Sequence, residues 1–237
     1  MIAASRFEGL ARMPPTSRPL LDFAWQHAWI PVLLLVLAGL FAGIRLKGRR
    51  IKGWVGEKAV RLLLDAHGVE HLHDVYLPTR NGITQVDHVA LVGGTILVIE
   101  TKNYEGVIDP KHGSIAWTQV LAGGRVKNRF QSPLEQNRGH VRAVRLAGGA
   151  VAAVEGLVVF AGGARFPKGM PRGVVTVTGL PAELRRVKAS RRPDAEAVAA
   201  WERVKAIHAA TDRDQSKRVH LETVAKARAR AAERKAA

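Results

Sequence analysis

The stretch that most constrains the fold runs from Gln85 to Tyr104, where two apolar, β-branched runs flank Gly93-Gly94. A Gly-Gly link between such runs is a hairpin signal, because the primed turns that match strand twist need positive φ. With Val92 opposite Thr95, every further pair keeps the same index sum, so Asp87 is expected opposite Glu100 and Gln85 opposite Lys102. Facing residues on paired antiparallel strands have Cβ atoms roughly 4.5 to 5.5 Å apart. Two carboxylates at that spacing either repel each other or hold a cation. The alternative is that both strand ends reach solvent, with Glu100 and Lys102 as a surface ion pair.

Period 2 places Asp87, Val89, Leu91, Ile96, Val98, Glu100 and Lys102 on one face, and Val86, His88, Ala90, Val92, Leu97, Ile99 and Thr101 on the other. Both faces are mostly apolar, which predicts a hairpin central in a sheet covered on both sides. A carboxylate pair buried there without compensation is costly, since like charges in low dielectric do not both ionise cheaply. A divalent metal removes that objection.

The chain has 237 residues, enough for one good-sized core with appendages. It carries 37 Lys+Arg against 20 Asp+Glu, a formal charge of +17. Such a field attracts polyanions, either nucleic acid or an anionic membrane surface. No cysteine is present, which excludes disulfides, thiolate zinc sites and cysteine catalysis. With two Tyr and six Phe, base stacking has little to work with, and phosphate contacts are the expectation.

Residues 1–22 are polar and proline-punctuated, and read as a disordered lead-in. Residues 23–44 contain the uncharged run Ala28–Ile44 and would extend about 33 Å as a helix, enough to span a bilayer core of roughly 30 Å. Trp25 and Trp29 sit where an interfacial aromatic belt would lie. A buried core helix and a cleaved signal peptide are the competing readings; the basic segment 45–52 follows the run without an Ala-x-Ala pattern, which suits an uncleaved anchor. The positive-inside bias then puts the N-terminus outside and the rest on the cytoplasmic side of an inner membrane. Gly39-x-x-x-Gly43 offers a packing face for a homodimer.

Beyond the anchor, a helix is expected from Gly53 to about Ala66, with Ala59, Leu62, Leu63 and Ala66 as its apolar stripe and Glu57 in the first turn, where the helix dipole favours a carboxylate. A strand over 69–77 and a turn over 79–84 lead into the hairpin. Short strands follow near 106–109 and 114–119, then a basic turn over 123–131. Ser132-Pro-Leu-Glu opens a helix to about Leu146, which sets Gln136, His140 and Ala143 along one side. Arg125, Lys127, Arg129, Arg138 and Arg142 make this region basic and the expected nucleic-acid contact. Strands near 156–161 and 173–178, helices over 181–188 and 194–210, and a basic helix or tail over 216–235 complete the chain. His71 and His73 share a strand face with no evident third metal ligand.

The ordered set Gly53-Trp-Val-Gly-Glu57 on a helix, Gln-Val-Asp87-His on one strand, Ile-Glu100-Thr-Lys102-Asn-Tyr on the next and Ser-Pro-Leu-Glu-Gln136 on a later helix resembles the nuclease-related domain (NERD) family of the PD-(D/E)xK nuclease superfamily. The match covers roughly residues 53–165, within a domain set at 53–180 and followed by a helical, basic extension over 181–237. The resemblance implies an α/β, restriction-endonuclease-like core with a central mixed sheet flanked by helices, and metal-dependent phosphodiester cleavage. It implies Asp87 and Glu100 as ligands of Mg²⁺ or Mn²⁺, Glu57 as a further acidic ligand, Lys102 as the residue that orients or deprotonates water, and Gln136 as a supporting polar group. Val86 stands where the superfamily's name has proline. The function so implied is a membrane-anchored nuclease acting on nucleic acid, DNA ahead of RNA. The rival is a catalytically silent nucleic-acid-binding or membrane scaffold on the same fold.

Overall fold

In the computed structural model the described residues are 55–236, apart from 112 and 150–152. The expected lead-in, anchor and juxtamembrane segment (1–22, 23–44 and 45–52) lie outside them. Among the described residues no helix is long and apolar enough to cross a membrane.

The hairpin forms in the expected register. Strand β2 (Gly82–Val92) pairs antiparallel with β3 (Thr95–Lys102) from Val92↔Thr95 to His88↔Ile99. Gly93 supplies a positive φ of 60°. Gly94 is needed for a different reason: a Cβ there would stand 2.1 Å from the backbone oxygen of Arg192, and its N–H donates to Arg191 O at 2.8 Å. The chain crosses directly over the turn.

Strand β1 (Glu70–Thr79) adds to β2 on one side, and on the other β7 (Val154–Phe160) and β9 (Val174–Thr176) run parallel to β3, giving the mixed order β1-β2-β3-β7-β9. The β1–β2 turn is only Arg80-Asn81, shorter than the expected 79–84, because Gly82 adopts φ 130° and pairs with Thr79. Both sheet faces are covered. Val89, Ile96 and Val98 pack on Ala143 and Val144 of α2 (Pro133–Ala147) and on Ala200, Trp201 and Val204 of α4 (Ala195–Ala210). Ala90, Val92, Leu97 and Ile99 pack on Val60 and Leu64 of α1 (55–66) and on Leu180, Leu184 and Val187 of α3 (Leu180–Ser190). Burying each such aliphatic side chain contributes about 1.5–3 kcal/mol. Residues 180–204 thus complete both cores.

Helix α1 is rotated from the expected stripe. Leu62 is 58% exposed, while Val60 and Leu64 are fully buried. The cause is Gly56, where a Cβ would lie 3.2 Å from the Cβ atoms of Ala161 and Asn103. The helix docks through its Gly56-Val60-Leu64 edge, at i, i+4 and i+8 spacing. Val86 also departs from strict alternation and packs with Val75, Leu77 and Val89.

The two short strands expected near 106–109 and 114–119 form part of a second mixed sheet, order β6-β5-β4-β8, whose other two strands were not foreseen. It comprises β4 (Gly106–Asp109), β5 (Ala116–Leu121), β6 (Val126–Gln131) and β8 (Ala164–Arg165). The expected basic turn over 123–131 is mostly β6, with Arg125 in the turn before it and Lys127 and Arg129 exposed along it. The second sheet meets the first through Trp117, which stacks on Phe160 at 6.4 Å between ring centroids and 6° between planes. Helix α5 (Arg213–Ala236) packs on the β1–β2 end, where His220 Nδ1 lies 3.1 Å from Ile83 O.

Candidate active site

The site lies where β2 and β3 part. Their ladder ends at His88↔Ile99, one rung short of the expected Asp87–Glu100 pair. Asp87 instead accepts the backbone N–H of Thr101 through Oδ2 at 2.8 Å. A side chain replaces the missing rung, and Asp87 is held beside Glu100. The predicted pairing of Gln85 with Lys102 does not form; Gln85 pairs with Tyr76 and donates from Nε2 to Asp74 Oδ1 at 2.7 Å.

Glu100 is 2% exposed and its Oε1 accepts from Lys102 Nζ. The surface ion pair is thereby excluded. Lys102 Nζ also donates to Gln136 Oε1 at 3.0 Å, which ties β3 to α2. His140 Nδ1 stands 3.2 Å from Glu100 Oε2 without forming a hydrogen bond to it.

Helix α2 is placed by its caps and by Asn137. Ser132 accepts from Glu135 N, and Pro133 starts the helix. Asn137 is buried and donates from Nδ2 to Val98 O at 3.0 Å on β3 and to Leu157 O at 3.1 Å on β7. Gly156 makes room for it, since a Cβ there would lie 3.1 Å from Asn137 Nδ2. Gln136 and His140, one turn apart, are thereby set over Lys102 and Glu100.

Glu57 enters from α1. With Asp74, Asp87 and His88 it lines a cavity of about 460 Å³. Asp74 has a φ of 52°, unusual for a residue with a Cβ, and lies opposite Asp87 between the pairs His73↔His88 and Val75↔Val86. The ladder skips that position, and both residues at the break are carboxylates.

Titration follows this geometry. Burial, and then the Glu100 charge, push Asp87 well above the usual carboxylate range. Burial also acts to raise Glu100, but His140 and Lys102 outweigh it and hold Glu100 low. For Lys102 burial favours the neutral amine, and Glu100 and Asp87 overcome it, raising its pKa. Burial, Asp74 and Glu100 raise Glu57. The site without a metal is one ionised Glu100 paired to a cationic Lys102, beside two carboxyls drawn towards protonation.

Two observations fit a hard divalent cation here. Glu100 Oε2 is buried without a hydrogen-bond partner, and the donors at hand are carboxylate oxygens. Among the described residues no three His, Asp or Glu side chains are grouped closely enough to enclose a metal. Two carboxylates with phosphate and water completing the shell is the habit of Mg²⁺.

Residues 52–161 match the nuclease-related domain (NERD) family. This agrees with the resemblance carried by Glu57, Asp87, Glu100, Lys102 and Gln136, all within the matched span. The chain is also 36% identical over 117 residues to an uncharacterised protein of Bacillus anthracis, covering 48% of this chain and 54% of that relative. It therefore spans about half the length of the curated relative it matches. No solved structure matches.

Four of the five motif residues, Asp87, Glu100, Lys102 and Gln136, converge at the strand ends within the matched span, with Glu57 across the adjoining cavity. The basic residues do not converge. Lys127 and Arg129 belong to the second sheet and Arg125 to the turn before it, whereas Arg138 and Arg142 lie on the outer flank of α2. Sequence reasoning missed His140, Asn137 and Asp74 as site residues. His140 was detectable, since it lies four residues after Gln136 and shares its helical face. Asp74 was not, because the short β1–β2 turn that sets its register was read as a longer one.

Proposed function

We propose that this nuclease-related domain is a restriction-endonuclease-like, metal-dependent phosphodiesterase acting on nucleic acid, DNA in preference to RNA. The observation that carries the proposal is Lys102 Nζ shared between Glu100 and Gln136 beside Asp87. Asp87 and Glu100 would hold Mg²⁺ or Mn²⁺, with Glu57 approaching from α1. When bound, the cation supplies Lewis acidity at the phosphoryl group and acidifies water.

The chain's own residues do the rest. Lys102 Nζ donates to both Glu100 and Gln136, which places its ammonium as a hydrogen-bond donor and point charge to orient water or a phosphate oxygen. Gln136 keeps its ammonium aligned, and His140 steadies the second oxygen of Glu100. Arg125, Lys127, Arg129, Arg138 and Arg142 contribute positive field for backbone contacts with little sequence readout. Residues 23–44 anchor the protein in an inner membrane, with this domain on the cytoplasmic side.

Purified full-length chain is expected to cut plasmid or single-stranded DNA, or RNA, in Mg²⁺ or Mn²⁺. Asp87→Ala and Lys102→Ala are each expected to abolish cutting, and cleavage retained by either defeats the assignment. Protease accessibility in inverted vesicles tests the orientation: protection of the C-terminal domain in them would refute it.

A further inference from the structure

Helix α2 shows different residues on its two flanks. Gln136 and His140 face the carboxylates, whereas Arg138, Arg142 and Arg145 line a groove of about 990 Å³ together with Arg172 and Arg186. At 3.6 residues per turn, Arg138, Arg142 and Arg145 centre roughly on the opposite side of the helix from Gln136. The five arginines come from three separate parts of the chain: α2, the β8–β9 connection and α3. The groove runs beside the first half of β7, which β9 does not reach, because β9 pairs only with Val158–Phe160.

The charges in this groove are unevenly compensated. Arg186 bonds Glu183 at 2.8 Å and Glu155 at 3.3 Å. Arg138 pairs with Glu135 at 2.6 Å, and Arg145 donates to Val154 O at 3.3 Å. Arg142 and Arg172 have neither an ion pair nor a hydrogen bond among the described residues. Two uncompensated guanidiniums in one concave groove, backed by three more, form a receptor for oxyanions presented in series. Guanidinium forks match phosphate oxygens bidentately.

We propose that this groove is a second nucleic-acid contact, holding a phosphodiester backbone across α2 from the site of cleavage. It rests on the nuclease reading in taking the ligand to be nucleic acid. Concavity favours a strand over a membrane, which presents a broad surface. The width of a helix, about 10 Å, separates the groove from the carboxylates. A bound strand or duplex arm would reach the groove in the same encounter that brings a phosphodiester to Asp87 and Glu100, which gives Arg145, Arg172 and Arg186 a role that the motif does not assign.

The test is binding of a fluorescein-labelled 20-mer, single-stranded and duplex, to full-length chain in detergent micelles with EDTA, between 50 and 200 mM salt. Arg142→Gln/Arg172→Gln is expected to weaken binding on the order of 10–100-fold near 0.1 M salt, and to reduce the slope of log K against log salt by about 2. Lys217→Gln/Arg218→Gln on α5, with the same change in charge, is expected to leave the slope nearly unchanged. Equal losses from both pairs would overturn the proposal, as would an unaltered slope in the groove pair. Should the groove pair unfold, Arg142→Lys/Arg172→Lys keeps the charge without the forks and is expected to lose affinity with little change in slope; wild-type affinity there would count against the proposal. If phosphatidylglycerol in the micelles competes only when the groove is intact, and oligonucleotide binding survives the groove pair, the groove serves lipid headgroups and the proposal falls. Because the assay contains no divalent cation, groove-dependent binding without cleavage leaves this inference standing while the nuclease reading fails. Cleavage without groove dependence does the reverse.

Discussion

Asp87 Oδ2 accepts the N–H of Thr101 at 2.8 Å, at the point where the β2–β3 ladder has already ended. The contact anchors a carboxylate that burial and Glu100 nonetheless draw towards protonation. Structure and chemistry pull against each other here, and a bound cation would relieve the conflict.

Asp87→Asn is therefore expected to leave the melting temperature without metal unchanged or slightly higher, since the amide oxygen can still accept from Thr101 and one like charge is gone. Wild-type protein is expected to melt higher in Mg²⁺ or Mn²⁺ than in EDTA, by the linkage of binding to stability. The variant is expected to lose that difference. A thermal scan of both proteins with and without metal decides it, and a full metal shift in the variant would exclude Asp87 as a ligand.

Lys102→Met strands Glu100 as an unpaired charge at 2% exposure. Breaking one side of such a pair costs about 3–5 kcal/mol. Lys102→Met/Glu100→Gln is expected to recover most of that in urea unfolding, because the remaining group no longer carries charge.

Burial, followed by the charges of His71, His73 and Arg61, lowers the His88 pKa to about 3. The unfolded chain takes up this proton near the ordinary value of about 6.5. The stability is thus fully present above that pH and is lost as pH falls towards 3, with a slope of up to about 1.4 kcal/mol per pH unit. Urea midpoints between pH 7.5 and 4 measure the acid limb, and His88→Phe is expected to flatten it. An unchanged limb would assign the acid sensitivity to other groups.

Asn137→Ala removes two hydrogen bonds from the β3 and β7 carbonyls, at a cost of about 2 kcal/mol. Cleavage is expected to fall further than this loss of stability explains, because Gln136 and His140 are oriented through the same helix. Turnover measured well below the melting transition separates the two effects.

The local rules worked where a single physical cause dominated. Gly93-Gly94 set the hairpin register, Ser132-Pro133 set the start of α2, and Asp194 caps α4 through Ala197 N. They failed where tertiary contacts decide. Counting along the register predicted an Asp87–Glu100 rung, but the strands separate before it, and no periodicity reports where a ladder ends. The stripe of α1 was misplaced because Gly56, with no side chain, makes the closest approach. Strand β6 reads as a turn because Lys127, Asn128 and Arg129 lie exposed in succession, so that strand has no alternation to reveal it. Within the site, residues two apart on one strand were legible. Those supplied by a helix were legible only as far as Gln136.

The crossing of Arg191 and Arg192 over Gly94 bears on how the protein is made. The family match ends at residue 161, yet Ala90, Val92, Leu97 and Ile99 find part of their cover in Leu180, Leu184 and Val187, and the opposite face awaits Trp201. A nascent chain released only to residue 161 would hold every motif residue while leaving each apolar sheet face covered by one helix alone. Contacts that span a hundred residues form late and slow folding. Synthesis therefore runs some forty residues past the end of the matched span before the carboxylates acquire a rigid frame, and the growing polypeptide is expected to stay inert towards nucleic acid until then.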